Sequence, residues 1–261
     1  MSFCYIYGSA DRLSYMNPRS DALFHFTKQA ETLYKILKSG FWPRYCLEDV
    51  SWLGFEKFDY IGYPMVCFCD IPLSRINSHR AFYGDFGVGM SKEWGIKNGL
   101  NPIAYISGNN AVSKTYKDLN EYAHKFPEGV NRENSKVAMR FLVANAKPIQ
   151  GTMFVGNEPK DKVFYHESEW RFVPVSDQIE EYLTLEESRD PQVLEAANEG
   201  TKNHCMIKFE PEDIKYIFVE SDGDIPSLVN FINAELGHLQ ANQQKILYSR
   251  IISLESLNKD I

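Results

Sequence analysis

The sequence predicts one α+β domain built on a mainly antiparallel sheet, and three observations predict it. Segments with strand period and segments with helix period follow one another without the regular alternation of a parallel sheet. No internal repeat, low-complexity linker or composition break divides the 261 residues. Hydrophobic residues make up 44% of the chain and aromatic residues 14%, enough for one large core. The domain is expected over residues 1–261, with 1–20 a loose lead-in ending in Asn17-Pro18-Arg19-Ser20-Asp21 and a core over about 21–258.

Leu23-Phe24-His25-Phe26-Thr27 reads as a strand that puts His25 and Thr27 on one face. It runs into a helix from about Lys28 to Ser39 with the apolar stripe Ala30, Leu33, Tyr34 and Leu37; Thr27 can cap this helix and Gly40 ends it. After the connection Phe41-Trp42-Pro43-Arg44-Tyr45, Met65-Val66-Cys67-Phe68-Cys69 is the clearest buried strand. Asp70-Ile71-Pro72-Leu73-Ser74 closes it and opens a helix to about Phe82, with Ser74 as cap. The glycines of Tyr83-Gly84-Asp85-Phe86-Gly87-Val88-Gly89-Met90 do not have dinucleotide-fold spacing. They predict instead a tight turn into a strand whose backbone approaches something closely. Ser91 to Lys97 is a short helix ended by Asn98-Gly99, and Asn101-Pro102 leads into the strand Ile103–Ile106. Segments 109–126 and 135–146 have helical period, separated by the loop 127–134. Strands follow at 204–209 and Lys215–Val219, then a helix near 225–237 and a last strand Ile246–Leu254.

The stretch with most chemical character is Phe164-Tyr165-His166-Glu167-Ser168-Glu169-Trp170-Arg171-Phe172-Val173. As a strand it points Phe164, Ser168, Trp170 and Phe172 one way and Tyr165, Glu167, Glu169 and Arg171 the other. Two carboxylates at this spacing stand about 7 Å apart, close enough to raise each other's pKa and to be compensated by Arg171. Two readings are open: a polar strand face meeting water, and a chemical site. A lone strand histidine is commonly structural; Thr27 pointing with it is the reason to keep His25 as a site residue.

Composition bounds the rest. No apolar run approaches the roughly 18 to 20 residues of a membrane span, and the N-terminus lacks the basic and apolar regions of a signal peptide, so a soluble cytoplasmic protein with no membrane partner is expected. Cys4, Cys46, Cys67, Cys69 and Cys205 are odd in number and have no metal spacing, so reduced thiols and no metal site are expected, Cys67 and Cys69 sharing one face of a buried strand. The net charge of −7 resides between Asp177 and Gly200, where eight acids meet only Arg189. A solvated helix accounts for that segment as readily as a surface for a basic partner. Trp42, Tyr45 and Trp94 offer stacking surfaces for a nucleic acid base or, equally, packing for the core.

The order of these motifs resembles the abortive-infection family AbiGi of phage resistance proteins. The strand with its helix at 23–39, the segment Met65–Ser74, the stretch His79–Gly89 and the closing Arg250-Ile251-Ile252-Ser253-Leu254-Glu255 carry that resemblance, over most of residues 23–258. Family naming places such a protein on the antitoxin side. A more distant resemblance, carried by H-x-T before a helix and a late E-x-E-W-R strand, is to the ADP-ribosyltransferase-like proteins, including DarT toxins. It implies a split antiparallel sheet with flanking helices and NAD bound in its cleft. On that resemblance Glu169 is catalytic, Glu167 holds the acceptor, and His25, Thr27, Arg44, Tyr83 and Arg171 bind the cofactor. The chemistry is coherent: a carboxylate steadies the oxocarbenium ion that forms as nicotinamide leaves, a histidine meets a ribose hydroxyl, and an aromatic ring stacks on nicotinamide.

The expectation is therefore an NAD-dependent mono-ADP-ribosyltransferase of anti-phage abortive infection, with NAD as its substrate and RNA, DNA or a protein as acceptor. Such an enzyme would gather His25, Tyr83 and Glu169 in one pocket. Two alternatives stay open: a non-catalytic antitoxin that holds a cognate toxin, and an NAD glycohydrolase.

Overall fold

A computed structural model describes residues 20–54, 59–155 and 158–260; most of the expected lead-in at 1–20 lies outside them. In chain order the elements are β1 (Ala22–Thr27), α1 (Ala30–Ser39), β2 (Arg44–Asp49), β3 (Tyr60–Cys69), α2 (Ile76–Tyr83), β4 (Phe86–Ser91), α3 (Lys92–Lys97), β5 (Asn101–Pro102), β6 (Ala104–Ile106), α4 (Ala111–Lys125), α5 (Val130–Ala144), β7 (Ala146–Pro148), β8 (Gly151–Val155), β9 (Glu158–Lys162), β10 (Glu169–Phe172), β11 (Leu183–Thr184), α6 (Leu185–Arg189), α7 (Pro191–His204), β12 (Ile214–Val219), α8 (Ile225–Glu235), α9 (Ala241–Ser249), β13 (Ile251–Ser253) and α10 (Leu254–Asp260). This is a mixed α+β fold: a large sheet with helices packed around it.

The main sheet runs β13-β12-β4-β1-β3-β10-β5, antiparallel except for the parallel pair β12 and β13. β3 is the long strand at its centre. Its first half, from Tyr60 to Met65, pairs with β2, and its second half, from Val66 to Cys69, pairs with β10. Between β1 and β3 the only register pair is Phe24 with Cys69, so the two strands diverge beyond it. There the His25 Nδ1–H donates to the Cys67 carbonyl at 2.8 Å, a side chain satisfying the backbone where the ladder stops.

Three cores follow from strand alternation. Leu23, Val88, Met90, Phe68 and Ile217 face α1, α3 and α8, where Leu33, Leu37, Trp94, Leu228 and Ile232 close over them. Phe24, Phe26, Cys69 and Phe218 face the other way, onto Ile76 and Leu254. Tyr63 and Met65, in the first half of β3, pack under Met139, Val143 and Ala144 of α5. The glycine-rich stretch behaves as its spacing predicts. Gly84 ends α2 at φ +117°, and Gly87 and Gly89 lie beneath the rings of Phe26, Phe24 and Tyr216.

Several expectations change. α1 starts at Ala30 with Gln29 at its N-cap, and Thr27 remains in β1 opposite Phe86 instead of capping. Pro72 leads into a short 3₁₀ turn before α2, and the Ser74 side chain caps nothing. Residues 164–173 are not one strand: Phe164–Glu167 form a 3₁₀ turn, Ser168 takes a left-handed conformation at φ 45°, and only Glu169–Phe172 join the sheet. α5 begins at Val130, inside the expected loop, because Gly129 at φ 142° turns the chain early. α7 continues to His204, leaving of the expected strand 204–209 one bridge between Phe41 and Ile207. The expected last strand is α9 to Ser249 followed by the short β13. The acidic segment is β11, α6 and most of α7, with several charges compensated: Glu181 pairs with Arg140, Glu195 with Arg44 and Glu199 with Lys202. Cys46, Cys67, Cys69 and Cys205 are free thiols.

Candidate functional site: a closed ring of buried charges

Alternation on β10 does what the sequence predicts for residues 169–172: Trp170 and Phe172 pack on the α1 side, and Glu169 and Arg171 face the opposite way. That opposite face is neither solvent nor a cleft. Glu169 and Arg171 are buried, and so are Glu48 on β2 and Lys147 on β7. Arg171 donates to Glu169 through Nε at 2.8 Å and to Glu48 through Nη2 at 3.0 Å. Lys147 Nζ completes the circuit at 3.4 Å from both Glu169 and Glu48. Two cations and two carboxylates thus form a neutral ring joining three strands. Arg171 Nη1 also donates to the Ala144 carbonyl at 2.5 Å, ending α5 on the same ring.

The electrostatics follow from this closure. Burial alone would raise the Glu169 carboxyl, but Arg171 and Lys147 outweigh burial and hold its pKa at about 2. For Lys147 burial opposes the charge, and Glu169 and Glu48 overcome it, so the ammonium holds its proton more tightly than usual. Burial, and next the Glu169 carboxylate, push the Cys67 thiol well up. It is an inert thiol.

Glu167 belongs to a second cluster at the end of the 3₁₀ turn. Its Oε1 accepts from the Tyr83 hydroxyl at 2.5 Å and from Lys162 Nζ at 2.5 Å. Lys162 is in turn held over the rings of Phe82, at 3.8 Å, and Tyr83, at 4.1 Å. Burial and then Glu167 raise the Tyr83 phenol far above its ordinary value, which keeps it a donor. The His79 ring packs at a tilt against Tyr83, with centroids 4.5 Å apart; burial and then Lys162 lower its pKa to about 3, so this imidazole is neutral.

Of the residues expected to form one site, the structure brings Tyr83 to Glu167 and Arg171 to Glu169, and it leaves Glu169 near enough for its charge to help raise the Tyr83 phenol. Glu169 is paired with Cys69, which is paired with Phe24, so these three share a face. His25, the next residue after Phe24, therefore lies on the opposite face, against the rings of Phe41 and Phe68. The expected pocket of His25, Tyr83 and Glu169 is not formed. Thr27 shares the His25 face at the end of β1. Arg44 sits at the surface, 4.1 Å over the Trp42 ring and 3.7 Å from Glu195. Two surface hollows, one beside Leu37, Phe209 and Leu247 and one beside Trp52, Ile106 and Gln150, are lined by none of these residues. Trp94 and Tyr45 are buried, and the Trp42 indole donates to the Asn198 carbonyl at 2.9 Å, so these aromatics serve packing.

Sequence reasoning missed Glu48, Lys147, His79 and Lys162. Only Lys147 leaves a signal, a single cation between Ala144, Ala146, Pro148 and Ile149. Among the described residues no group of three His, Cys, Asp or Glu is placed to hold a metal ion, and no helix is long and apolar enough to cross a membrane.

Comparison with known proteins follows the same line. Residues 39–220 match the family described as "Putative abortive phage resistance protein AbiGi, antitoxin". A protein of Lactococcus lactis subsp. cremoris named "Abortive phage resistance protein AbiGi" is 26% identical over 251 residues, covering 84% of this chain and 99% of that protein. No solved structure matches. Neither match carries an ADP-ribosyltransferase, and the antitoxin description overturns the expectation of an NAD-dependent transferase. NAD as substrate or cofactor, and RNA or DNA as acceptor, fall with it. The family match spans more than half of the sequence, and the chain belongs to the AbiGi family of abortive phage resistance proteins.

Proposed function

We propose that this chain is the non-catalytic antitoxin of an abortive-infection pair and acts by binding a cognate toxin protein. The observation that carries this reading is the closure of the ring. Glu169, the residue best suited to chemistry, has both carboxylate oxygens engaged inside the protein by Arg171 and Lys147. A neutral, fully paired ring has no free charge to offer a reacting molecule. What it supplies is geometry, fixing β2, β7, β10 and the end of α5 relative to one another. The family description supplies the role that a rigid, non-catalytic scaffold fits.

The test is growth. Cells arrested by the cognate toxin are expected to resume growth when this chain is expressed, and the two proteins to elute together at defined stoichiometry. The Glu169→Gln variant, wherever it still folds, is expected to relieve arrest as wild type does. Arrest unrelieved by the wild-type chain, with no complex formed, overturns the proposal.

A further inference from the structure

Two of the strands that build the ring also end on a hollow. Side chains alternate along a strand, so Glu48 and Lys147 turn into the ring while their neighbours Asp49 and Pro148 turn away from it. Asp49 ends β2, Ile106 ends β6 and Pro148 ends β7, and β6 and β7 run parallel, so their ends come together. With Trp52, Ser107 and Gln150 they line a hollow of about 360 Å³. Binding sites for small groups span roughly 300–1,000 Å³, so this one suits a single side chain or a small molecule.

The walls decide what it can hold. Trp52, Ile106 and Pro148 are apolar, and Trp52 Nε1 is buried, so the indole offers its ring and not its N–H. Against them stands one carboxylate. Asp49 Oδ1 accepts from the Ser51 N–H at 2.9 Å and from the Ser51 hydroxyl at 2.6 Å, whereas Oδ2 has no hydrogen-bond partner among the described residues. A methyl group at Gly151 would lie 2.7 Å from Oδ2, so this glycine keeps the approach to it clear.

The charge around the hollow has one sign. Asp59 and Asp161 join Asp49 about the Tyr60 phenol, which burial and then these three carboxylates raise. Among the described residues no Lys, Arg or His forms an ion pair with any of the three. Lys117, whose Nζ stands against Gly54, offsets one charge, and the ring is neutral, so the surroundings stay negative. An anion is repelled here, and a purely apolar group would cover Asp49 without pairing it. A flat cation satisfies both walls. Guanidinium stacks on an indole and presents paired donors to a carboxylate, which the compact ammonium of lysine does not. Ser51, Ser107 and Gln150 are exposed at the mouth, so a side chain projecting from another protein can enter.

We propose that this hollow is the socket for an arginine side chain of the cognate toxin, with its guanidinium paired to Asp49 and stacked on Trp52. The inference rests on the antitoxin reading and names the chemistry by which the partner is recognised.

The experiment measures binding of the full-length chain to the toxin whose arrest it relieves, purified separately. Asp49→Asn keeps an acceptor for Ser51 and removes the charge; it is expected to weaken binding about 30-fold with unchanged circular dichroism and Tm. Ser107→Arg puts a guanidinium of the chain's own at the mouth and is expected to weaken binding to a similar degree. Millimolar agmatine, a free guanidinium, is expected to weaken wild-type binding more than sodium chloride of equal ionic strength, and to leave the residual Asp49→Asn binding no weaker than that salt does. Toxin binding that neither substitution alters overturns the socket while leaving the antitoxin reading in place. Absence of toxin binding by the wild-type chain overturns both. Agmatine that binds the chain through Asp49, beside toxin binding indifferent to Asp49, assigns the hollow to a free small cation and overturns the proposal. Concentration-dependent dimers of the wild-type chain that Asp49→Asn converts to monomers assign it to a second copy and overturn it as well.

Discussion

Replacing the Glu169 carboxylate by an amide removes one of two negative charges from a ring that holds two positive ones. Arg171 and Lys147 would then share Glu48 alone, in a place where water cannot reach them. Breaking one member of a buried ion network costs about 3–5 kcal/mol, a large part of the 5–15 kcal/mol that holds a typical domain folded. Glu169→Gln is therefore expected to lower the unfolding free energy measured in urea by an amount in that range. Adding Lys147→Met restores neutrality, so the double variant is expected to be more stable than Glu169→Gln alone. A loss under about 1 kcal/mol in the single variant, or a double variant that is less stable still, would show that the ring is not closed as described.

Between residues and the sheet, the tightest link is at the end of α2. Gly84 sits at φ +117°, and a methyl group there would lie 2.3 Å from the Thr27 carbonyl oxygen and 2.4 Å from Lys28 Cα. Both obstacles are backbone, so Gly84→Ala can be accommodated only by moving α2 away from β1, and Tyr83 away from Glu167 with it. The expected cost is at least about 2 kcal/mol in denaturant unfolding, against about 1 kcal/mol for Ala at Gly99, where φ +78° strains the backbone but no atom lies within 4 Å. That glycines after Tyr83 make a close approach was legible, because G-x-x-G-x-G without a leading strand has few other uses. The second half of β3, most of α1 and α8, and β12 were legible from period and punctuation in the same way. The break at Ser168 was not. Two-residue alternation runs unbroken on paper from Phe164 to Phe172, and a serine gives no notice of a left-handed turn. The edge strands β2 and β9 were missed because their charged residues mask any apolar alternation. The burial of Glu169 was beyond reach for a different reason: the other members of its ring, Glu48 and Lys147, lie 121 and 22 positions away in the chain, and pairing at that distance leaves no local pattern.

For the molecule as a whole, these buried groups set how stability depends on pH. His79 has a folded pKa near 3 against an ordinary 6.5, and Glu169 one near 2 against 4.5. Both are depressed in the folded state, so as pH falls the unfolded chain takes up each proton first and folding loses stability. The His79 contribution is complete above about 6.5 and is lost as pH falls from there toward 3. The Glu169 contribution is complete above about 4.5 and is lost toward 2. Of the charged groups that act on His79, Lys162 and His25 lower its pKa further and Glu169 raises it without reversing the sign; burial lowers the His25 pKa as well and adds to the same window. Unfolding free energy measured in urea is thus expected to be level from pH 8 to 7 and then to fall. The limiting slope for one proton is about 1.4 kcal/mol per pH unit, and a second arm steepens the fall below about 4.5. His79→Phe, which keeps a ring against Tyr83, should flatten the upper arm and leave the lower one. Glu169→Gln should do the reverse from its lower starting stability. An upper arm unchanged in His79→Phe would mean that His79 takes up its proton in the folded chain, and the neutral imidazole packed against Tyr83 would have to be abandoned.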